Sequence, residues 1–373
     1  MPANNTLFDS DAHVIEPGDL WTERIEKRFR DRAPRIGKVA GQTGDFFLCE
    51  DLDPFSAVAG GFLGAKRDNL AEFEKWQASG SVSKDVRPGA WNPPERIKDM
   101  TADGVGAAAI YPTSGARFFR VKDAGLQNAI FRTYNDWMSE FFSYDAKHLA
   151  GLALISLHDY EAAVAEVRRV AKLGFQGVII PISRPYDTGY DDPGLDPFWR
   201  ACVDTGMVVG IHTSAVAWWP VDKIPTMRVG IGCADFPVRR SLTEMIFGGV
   251  FDRFPQLKVV VAEFEIGWIP HFLWWSDHRY KLRPAATAPI KMLPSEYAKK
   301  HVWATVSEDP LLSTVAAAFG EDRLLWASDY PHVESTWPKS REYIDRVFKG
   351  TSPKFRDMAT RENARKLYRY SLE

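Results

Sequence analysis

Asp11 and His13 stand two residues apart at the end of the apolar run Leu7-Phe8-Asp9-Ser10-Asp11-Ala12-His13. On a strand, that spacing puts both side chains on one face. One carboxylate oxygen and one imidazole nitrogen can then reach the same cation. The same pattern recurs downstream, where apolar runs end in His212, Glu263 and Asp329. Taken singly, each has an ordinary explanation: a satisfied core histidine, a helix cap, a turn residue before Tyr330-Pro331. Together they are hard or borderline ligands that suit zinc, manganese or iron. Such an ion lowers the pKa of a bound water and polarises a substrate carbonyl or carboxylate. In that arrangement Asp329 can ligate the ion or take a proton, and Glu263 can ligate or act as general acid–base.

These residues have to be carried by a repeating scaffold. Short β-branched or alanine-rich runs at 7–13, 105–111, 151–155, 177–181, 207–211, 257–262, 301–306 and 323–327 read as buried strands. Helical patterns separate them, for example 123–144, where Leu126, Ile130, Tyr134, Trp137 and Phe141 recur at three- and four-residue steps. Further helices are read at 94–103, 161–172, 197–205, 241–251, 268–280, 311–319, 340–348 and 362–368. Eight strand–helix units predict a closed (β/α)8 TIM barrel, whose chemistry sits at the carboxyl ends of the strands. No G-x-G-x-x-G follows the first strand, which disfavours a dinucleotide-binding sheet. Residues 18–93 keep no strand–helix rhythm and read as a cap inserted after the first strand, within one domain spanning 1–373.

Composition narrows the function. The 373 residues are 45% hydrophobic, enough for a large core, and 47 basic against 49 acidic residues leave a net charge of −2. That balance gives no reason to expect nucleic acid or an anionic membrane surface as partner. Cys49, Cys202 and Cys233 are far apart and odd in number, so they read as reduced, buried thiols of a cytoplasmic protein. No basic leader or bilayer-length apolar run is evident.

The chain resembles the amidohydrolase superfamily, in the branch containing aminocarboxymuconate semialdehyde decarboxylase and resorcylate decarboxylase. The motifs that carry the resemblance are Asp9-Ser10-Asp11-Ala12-His13-Val14-Ile15-Glu16-Pro17, Gly210-Ile211-His212, Phe254-Pro255-Gln256-Leu257-Lys258-Val259 leading to Glu263, Gly267-Trp268-Ile269-Pro270 and Ala327-Ser328-Asp329-Tyr330-Pro331-His332. The resemblance implies a distorted TIM barrel, zinc as the first metal to expect with manganese or iron as alternatives, and ligands at Asp11, His13, His212 and Asp329. Two departures stand out. Asp11 replaces the first His of a His-x-His pair, and Glu263 stands where the family's catalytic His follows the sixth strand. A carboxylate there puts proton transfers that depend on an imidazole in question.

Three functions follow. The first is metal-dependent hydrolysis or non-oxidative decarboxylation of a small carboxylate-bearing or aromatic compound. The second, suggested by the added carboxylates with His332 and Glu16 nearby, is a dinuclear iron or manganese/iron oxygenase, the hydroxylase component of a monooxygenase. The third is a partner subunit without catalysis. His332 and Glu16 otherwise support the ligands from behind. Arg117 and Arg184, after the second and fourth strands, are candidates to grip a substrate carboxylate. Trp218 and Phe62 are candidates to line the pocket. Trp274 and Trp275 read as core or as a contact in a homo-oligomer, such as a dimer, or in a hetero-oligomer with a related chain.

Overall fold

Runs such as Val259–Ala262 and Gly177–Ile180 are buried at every position, as expected of parallel strands covered on both faces. In the computed structural model, which describes residues 6–50, 52–58, 79–81, 86–184, 188–215, 233, 235–286 and 288–370, these runs build the expected barrel. Its strands are β1 (Leu7–His13), then β5 (Val105–Tyr111), β6 (Leu149–Leu154), β7 (Gly177–Ile180), β8 (Val208–His212), β9 (Val259–Ala262), β10 (Val302–Val306) and β11 (Leu324–Trp326). They are hydrogen-bonded in the order β1-β5-β6-β7-β8-β9-β10-β11, and every barrel pairing is parallel.

Closure from β11 back to β1 is made by the segment after β11. The Asp329 amide donates to the Asp11 carbonyl at 2.9 Å, and the His13 amide donates to the Tyr330 carbonyl at 2.5 Å. The buried Asp9 carboxylate receives both the Ser328 amide, at 2.9 Å, and the Ser328 hydroxyl.

The helices follow their sequence signals. Asp123 caps Ala124–Ser143 by accepting from the Leu126 amide, and Leu126, Ile130, Tyr134, Trp137 and Phe141 are all buried. Asn92 caps Pro93–Asp103, which ends at Gly104 with φ 77°. The helix expected at 241–251 instead runs Asp235–Phe247, because Gly249 at φ 70° interrupts it before a short turn, Val250–Arg253. Pro294–His301 and Pro353–Asp357 are helices that the sequence pattern did not reveal.

The cap has more structure than expected. Between β1 and the first barrel helix lie the helix Leu20–Arg24 and an antiparallel sheet of β2 (Arg35–Gly37), β3 (Phe46–Leu48) and β4 (Phe55–Ser56). Trp21 pins this layer to the barrel: its indole N–H donates to the Ile130 carbonyl at 3.0 Å, and its ring meets Phe47 and Phe118 edge-on. Cys49 and Cys202 are buried as expected, whereas Cys233 is exposed. Trp274 and Trp275 are 59% and 45% exposed, so they are not core. Among the described residues, no helix is long and apolar enough to cross a membrane.

Gly177 marks a tight point in the barrel wall. A Cβ there would lie 2.7 Å from the Val208 carbonyl oxygen on the neighbouring strand, an atom that cannot rotate away. Gly177→Ala is expected to cost about 1–3 kcal/mol through strand displacement. A thermal midpoint equal to that of the parent would contradict this packing.

Candidate metal centre

Four strands, β1, β8, β9 and β11, bring five side chains from their carboxyl ends to one point. His13 Nε2 lies 3.1 Å from His212 Nε2 and 3.4 Å from Asp11 Oδ1, and His212 Nε2 lies 3.3 Å from the same Asp11 oxygen. Asp329 Oδ1 is 3.6 Å from His13 Nε2, and Glu263 Oε2 is 3.0 Å from His212 Nε2. Asp11, His13 and His212 form one ligand-competent triad, and His13, Asp329 and His332 form another that shares His13. A register shift between Asp9 and Ala12 in β1 re-aims this strand end. Glu263 and Asp329 sit at φ 62° and 55°, left-handed conformations that non-glycine residues adopt only when their surroundings impose them.

The contacts behind these donors set their orientation. His13 Nδ1 lies 3.0 Å from the Pro112 carbonyl, which fixes the proton on Nδ1 and leaves the Nε2 lone pair facing the cluster. His212 Nδ1 accepts the Ser214 amide at 3.1 Å and lies 2.8 Å from the Ser214 hydroxyl, which holds the ring with Nε2 toward Asp11 and Glu263. Arg96 is buried, donates Nε–H to the Gly89 carbonyl and a terminal N–H to the His13 carbonyl, and lies over the Tyr330 ring at 4.2 Å. One guanidinium thus holds the ends of both β1 and the β11 loop. Loops after β9 and β10 are tied reciprocally. Glu265 accepts the Ser307 and Glu308 amides, and Asp309 accepts the Ile266 and Gly267 amides.

Electrostatics shows what this cluster lacks. Burial alone would raise the Asp11 carboxyl, but His212 and His13 hold it well below the usual carboxylate range. Burial disfavours the His212 imidazolium, yet Asp11 and Glu263 outweigh it and push this pKa up to about 10. Burial together with Glu263 pushes Asp329 well above the ordinary range, and burial brings His332 down to about 4. Asp11 Oδ1, Glu263 Oε2 and Asp329 Oδ1 are nevertheless buried and make no well-aligned hydrogen bond among the described residues, although an imidazole nitrogen lies close to each. Three unsatisfied carboxylate oxygens beside two imidazole nitrogens fit a divalent cation, which would compensate all of them at once.

The remaining expected site residues divide. His332 is in the cluster: Nδ1 lies 2.7 Å from Asp329 Oδ1, Nε2 lies 3.0 Å from Thr113 Oγ1, and its ring packs on His13 with centroids 4.0 Å apart. Glu16 is not at the cluster. Its oxygens accept the amides of Thr113, Ser114 and Gly115, so it shapes the loop that carries Thr113. Arg184 is not available to substrate either, because it donates to the Gly189 carbonyl at 2.9 Å and the Tyr160 hydroxyl at 2.5 Å. Arg117 is solvent-accessible and lies over the Phe55 ring at 5.1 Å. Trp218 and Phe62 lie outside the described residues. The sequence reading passed over Asp9, Thr113, Ser214 and Arg96. Only Asp9 left a signal, since it shares the two-residue period of Asp11 and His13.

Two outcomes test the centre. In the metal-free protein His212 is an imidazolium at neutral pH, with its pKa raised to about 10, and a metal must displace that proton. The apparent affinity for manganese is therefore expected to rise about tenfold per pH unit, for that one proton, between pH 6 and 9. A flat profile in calorimetric titrations would remove His212 from the ligand set. Ser328→Ala, which takes the hydroxyl from Asp9, is expected to weaken metal binding by about 10–100-fold.

Comparison with known proteins agrees with this geometry. The family model described as amidohydrolase matches residues 8–370. A 2-amino-3-carboxymuconate-6-semialdehyde decarboxylase of Dictyostelium discoideum is 28% identical over 266 residues, covering 69% of this chain and 71% of that protein. An amidohydrolase structure from Mycobacterium avium subsp. paratuberculosis K-10 superposes with a TM-score of 0.83 at 22% identity, covering 98% of this chain and 99% of the other. A 5-carboxyvanillate decarboxylase from Novosphingobium aromaticivorans, complexed with manganese and 4-hydroxy-3-methoxy-5-nitrobenzoic acid, gives a TM-score of 0.70 at 19% identity, covering 99% and 97%. With a family match that runs nearly from end to end and a ligand cluster at the strand ends, the chain belongs to the amidohydrolase family and is an enzyme of it.

Proposed function

We propose that this enzyme is a metal-dependent carboxy-lyase that removes a carboxylate from a small aromatic or unsaturated acid without oxidation. The observation that carries the reading is the Asp329–His332 pair, joined at 2.7 Å at the edge of the ligand cluster. Asp329 is pushed up by burial while His332 is pushed down, so the pair retains a proton that it can give to carbon. Decarboxylation needs that proton: the bond from carbon to carboxylate breaks, its electron pair is captured by the proton, and carbon dioxide leaves. Thr113, 3.0 Å from His332 Nε2, offers a hydroxyl through which the proton is replaced.

Glu263 favours this reaction over hydrolysis. Burial opposes its charge, but His212 keeps the carboxyl below its ordinary range, which makes it a poor base for activating water at neutral pH. Its charge instead helps hold His212 in place. A divalent ion held by Asp11, His13 and His212 would supply positive charge for substrate oxygens, leaving Asp329 to carry the proton beside His332. Manganese is our first choice, because the donor set is rich in carboxylates and the Novosphingobium decarboxylase carries it; zinc is the alternative. The decarboxylase relatives favour this reading over dinuclear oxygenation, and a complete ligand set argues against a silent partner subunit.

The test is carbon dioxide release from 5-carboxyvanillate and a panel of hydroxybenzoates by the manganese-loaded enzyme in D2O. A single deuterium is expected at the vacated carbon. Asp329→Asn is expected to lower the rate by about 10²–10⁴-fold. Cleavage of amide or lactone substrates by the same preparation, with no carbon dioxide from any acid, would replace this proposal with hydrolysis.

A further inference from the structure

Thr113 holds the N-terminal cap position of the short helix Ser114–Arg117, yet its side chain makes no capping bond there. A threonine at such a position ordinarily turns its hydroxyl onto the amides of the first turn. Here Glu16 takes them: Oε1 accepts the Thr113 amide at 3.1 Å and the Gly115 amide at 3.0 Å, and Oε2 accepts the Ser114 amide at 2.9 Å. The space is shaped for this carboxylate. Glu16 is fully buried, and a Cβ on Gly115 would stand 2.9 Å from its Oε1. The segment that bears Glu16 is tied to the strand that leads to Thr113, since the Val14 amide donates to the Tyr111 carbonyl at 3.1 Å and β1 pairs with β5 as far as His13 and Tyr111.

The hydroxyl released from capping lies between two imidazoles. Thr113 Oγ1 is 3.3 Å from His13 Nδ1 and 3.0 Å from His332 Nε2. His13 Nδ1 bears a proton, because its other neighbour, the Pro112 carbonyl at 3.0 Å, can only accept. Thr113 therefore receives from His13, and its one hydroxyl proton is left to donate to His332 Nε2. A ring nitrogen that accepts is unprotonated, so the neutral His332 ring carries its proton on Nδ1, the nitrogen 2.7 Å from Asp329 Oδ1.

We propose that Glu16 is a positioning residue of the decarboxylation: by holding Thr113, it keeps His332 in the tautomer whose proton lies on the Asp329 side. The inference rests on the decarboxylase reading for the use of that proton and on the contacts above for its place. Without the carboxylate, the first-turn amides lose their acceptor, and the Thr113 hydroxyl is drawn back to the ordinary capping role. His332 then loses the donor on Nε2 that selects its tautomer, while His13 keeps the Pro112 carbonyl. Glu16 thus acts on the proton and not on metal affinity.

The experiment is a double-mutant cycle of Glu16→Gln and Thr113→Val in the manganese-loaded enzyme, with the acid that releases carbon dioxide fastest as substrate. Glutamine turns one accepting oxygen into a donor that faces an amide. Thr113→Val is expected to lower kcat by about 10–100-fold and Glu16→Gln by about tenfold, with KM and manganese affinity within about twofold of the parent. The double variant is expected to fall no more than about twofold below Thr113→Val alone, and Thr113→Ser, which keeps the hydroxyl, to restore kcat to within about threefold of the parent. Effects that multiply in the double variant, or manganese affinity that falls together with kcat, overturn the assignment and leave Glu16 a support of the fold. The His332 ring gives a second readout that needs no turnover. In nitrogen NMR spectra of the zinc-loaded protein, Nε2 is expected to be unprotonated, and to move toward the position of an unbonded imidazole nitrogen in both Glu16→Gln and Thr113→Val. A protonated Nε2 in the parent, or a response to Thr113→Val alone, overturns the proposal. Should Glu16→Gln not fold, Glu16→Asp, which keeps the charge but draws it back from the amides, takes its place in cycle and spectra with the same expectations. The two proposals fail separately. The expected spectra with no carbon dioxide from any acid uphold the hold of Glu16 on Thr113 and remove the decarboxylase reading. Carbon dioxide release with effects that multiply does the reverse.

Discussion

The Asp9 carboxylate on Ser328 is the contact on which the rest of the site depends. It joins residues 319 positions apart, at the seam where the last strand meets the first. Among the described residues no regular ladder spans that seam, and its bonds come from the residues that also carry the ligands: the Asp329 amide on the Asp11 carbonyl, and the His13 amide on the Tyr330 carbonyl. Closing the barrel and bringing Asp11, His13 and Asp329 together are therefore one event. Asp9 suits the task because a carboxylate offers several lone pairs, here taken by the Ser328 amide, the Ser328 hydroxyl and the Asp11 amide. Burial opposes its charge strongly enough to bring its pKa to about 7 despite those donors. The seam trades some electrostatic comfort for alignment.

Much of this was legible in the chain, for reasons that can be named. Strand ends are where polar side chains must begin, since the backbone there leaves a core that tolerates none of them unpaired. Asp11, His13, His212, Glu263 and Asp329 are thus marked by their places at strand ends. The two-residue period of β1 and the three- and four-residue steps of Ala124–Ser143 are local, and local patterns survive in a linear text. The sheet of β2, β3 and β4 did not, because strands of three, three and two residues are too short to show a period. Arg96 did not either, since its role lies in reaching the His13 carbonyl 83 residues away. Arg117 and Arg184 look alike in sequence, as arginines in loops after strands. Only tertiary structure reveals that one is consumed by Tyr160 and Gly189 while the other rests on Phe55.

Backbone strain is concentrated where the chemistry is. Glu263, Glu265 and Asp329 all have positive φ, and each such conformation in a residue with a Cβ costs of order 1–3 kcal/mol. The loops that contain them are held by carboxylates capping amides rather than by apolar packing: Glu265 on Ser307 and Glu308, Asp309 on Ile266 and Gly267. The Glu263 amide is secured by the Thr305 hydroxyl at 3.0 Å. These ties turn the strand ends sharply enough to point Glu263 and Asp329 inward.

Replacing an imidazole by Glu263 changes what the rest of the cluster can do. A histidine at that point would titrate near neutrality and could serve as base or acid by itself. Glu263 cannot, because its proximity to His212 keeps it ionised, and in the proposed reaction the proton is supplied where Asp329 meets His332. The same negative charge makes the metal site less welcoming to anions. A carboxylate in place of that imidazole thus assigns the proton of the proposed reaction to Asp329 and His332.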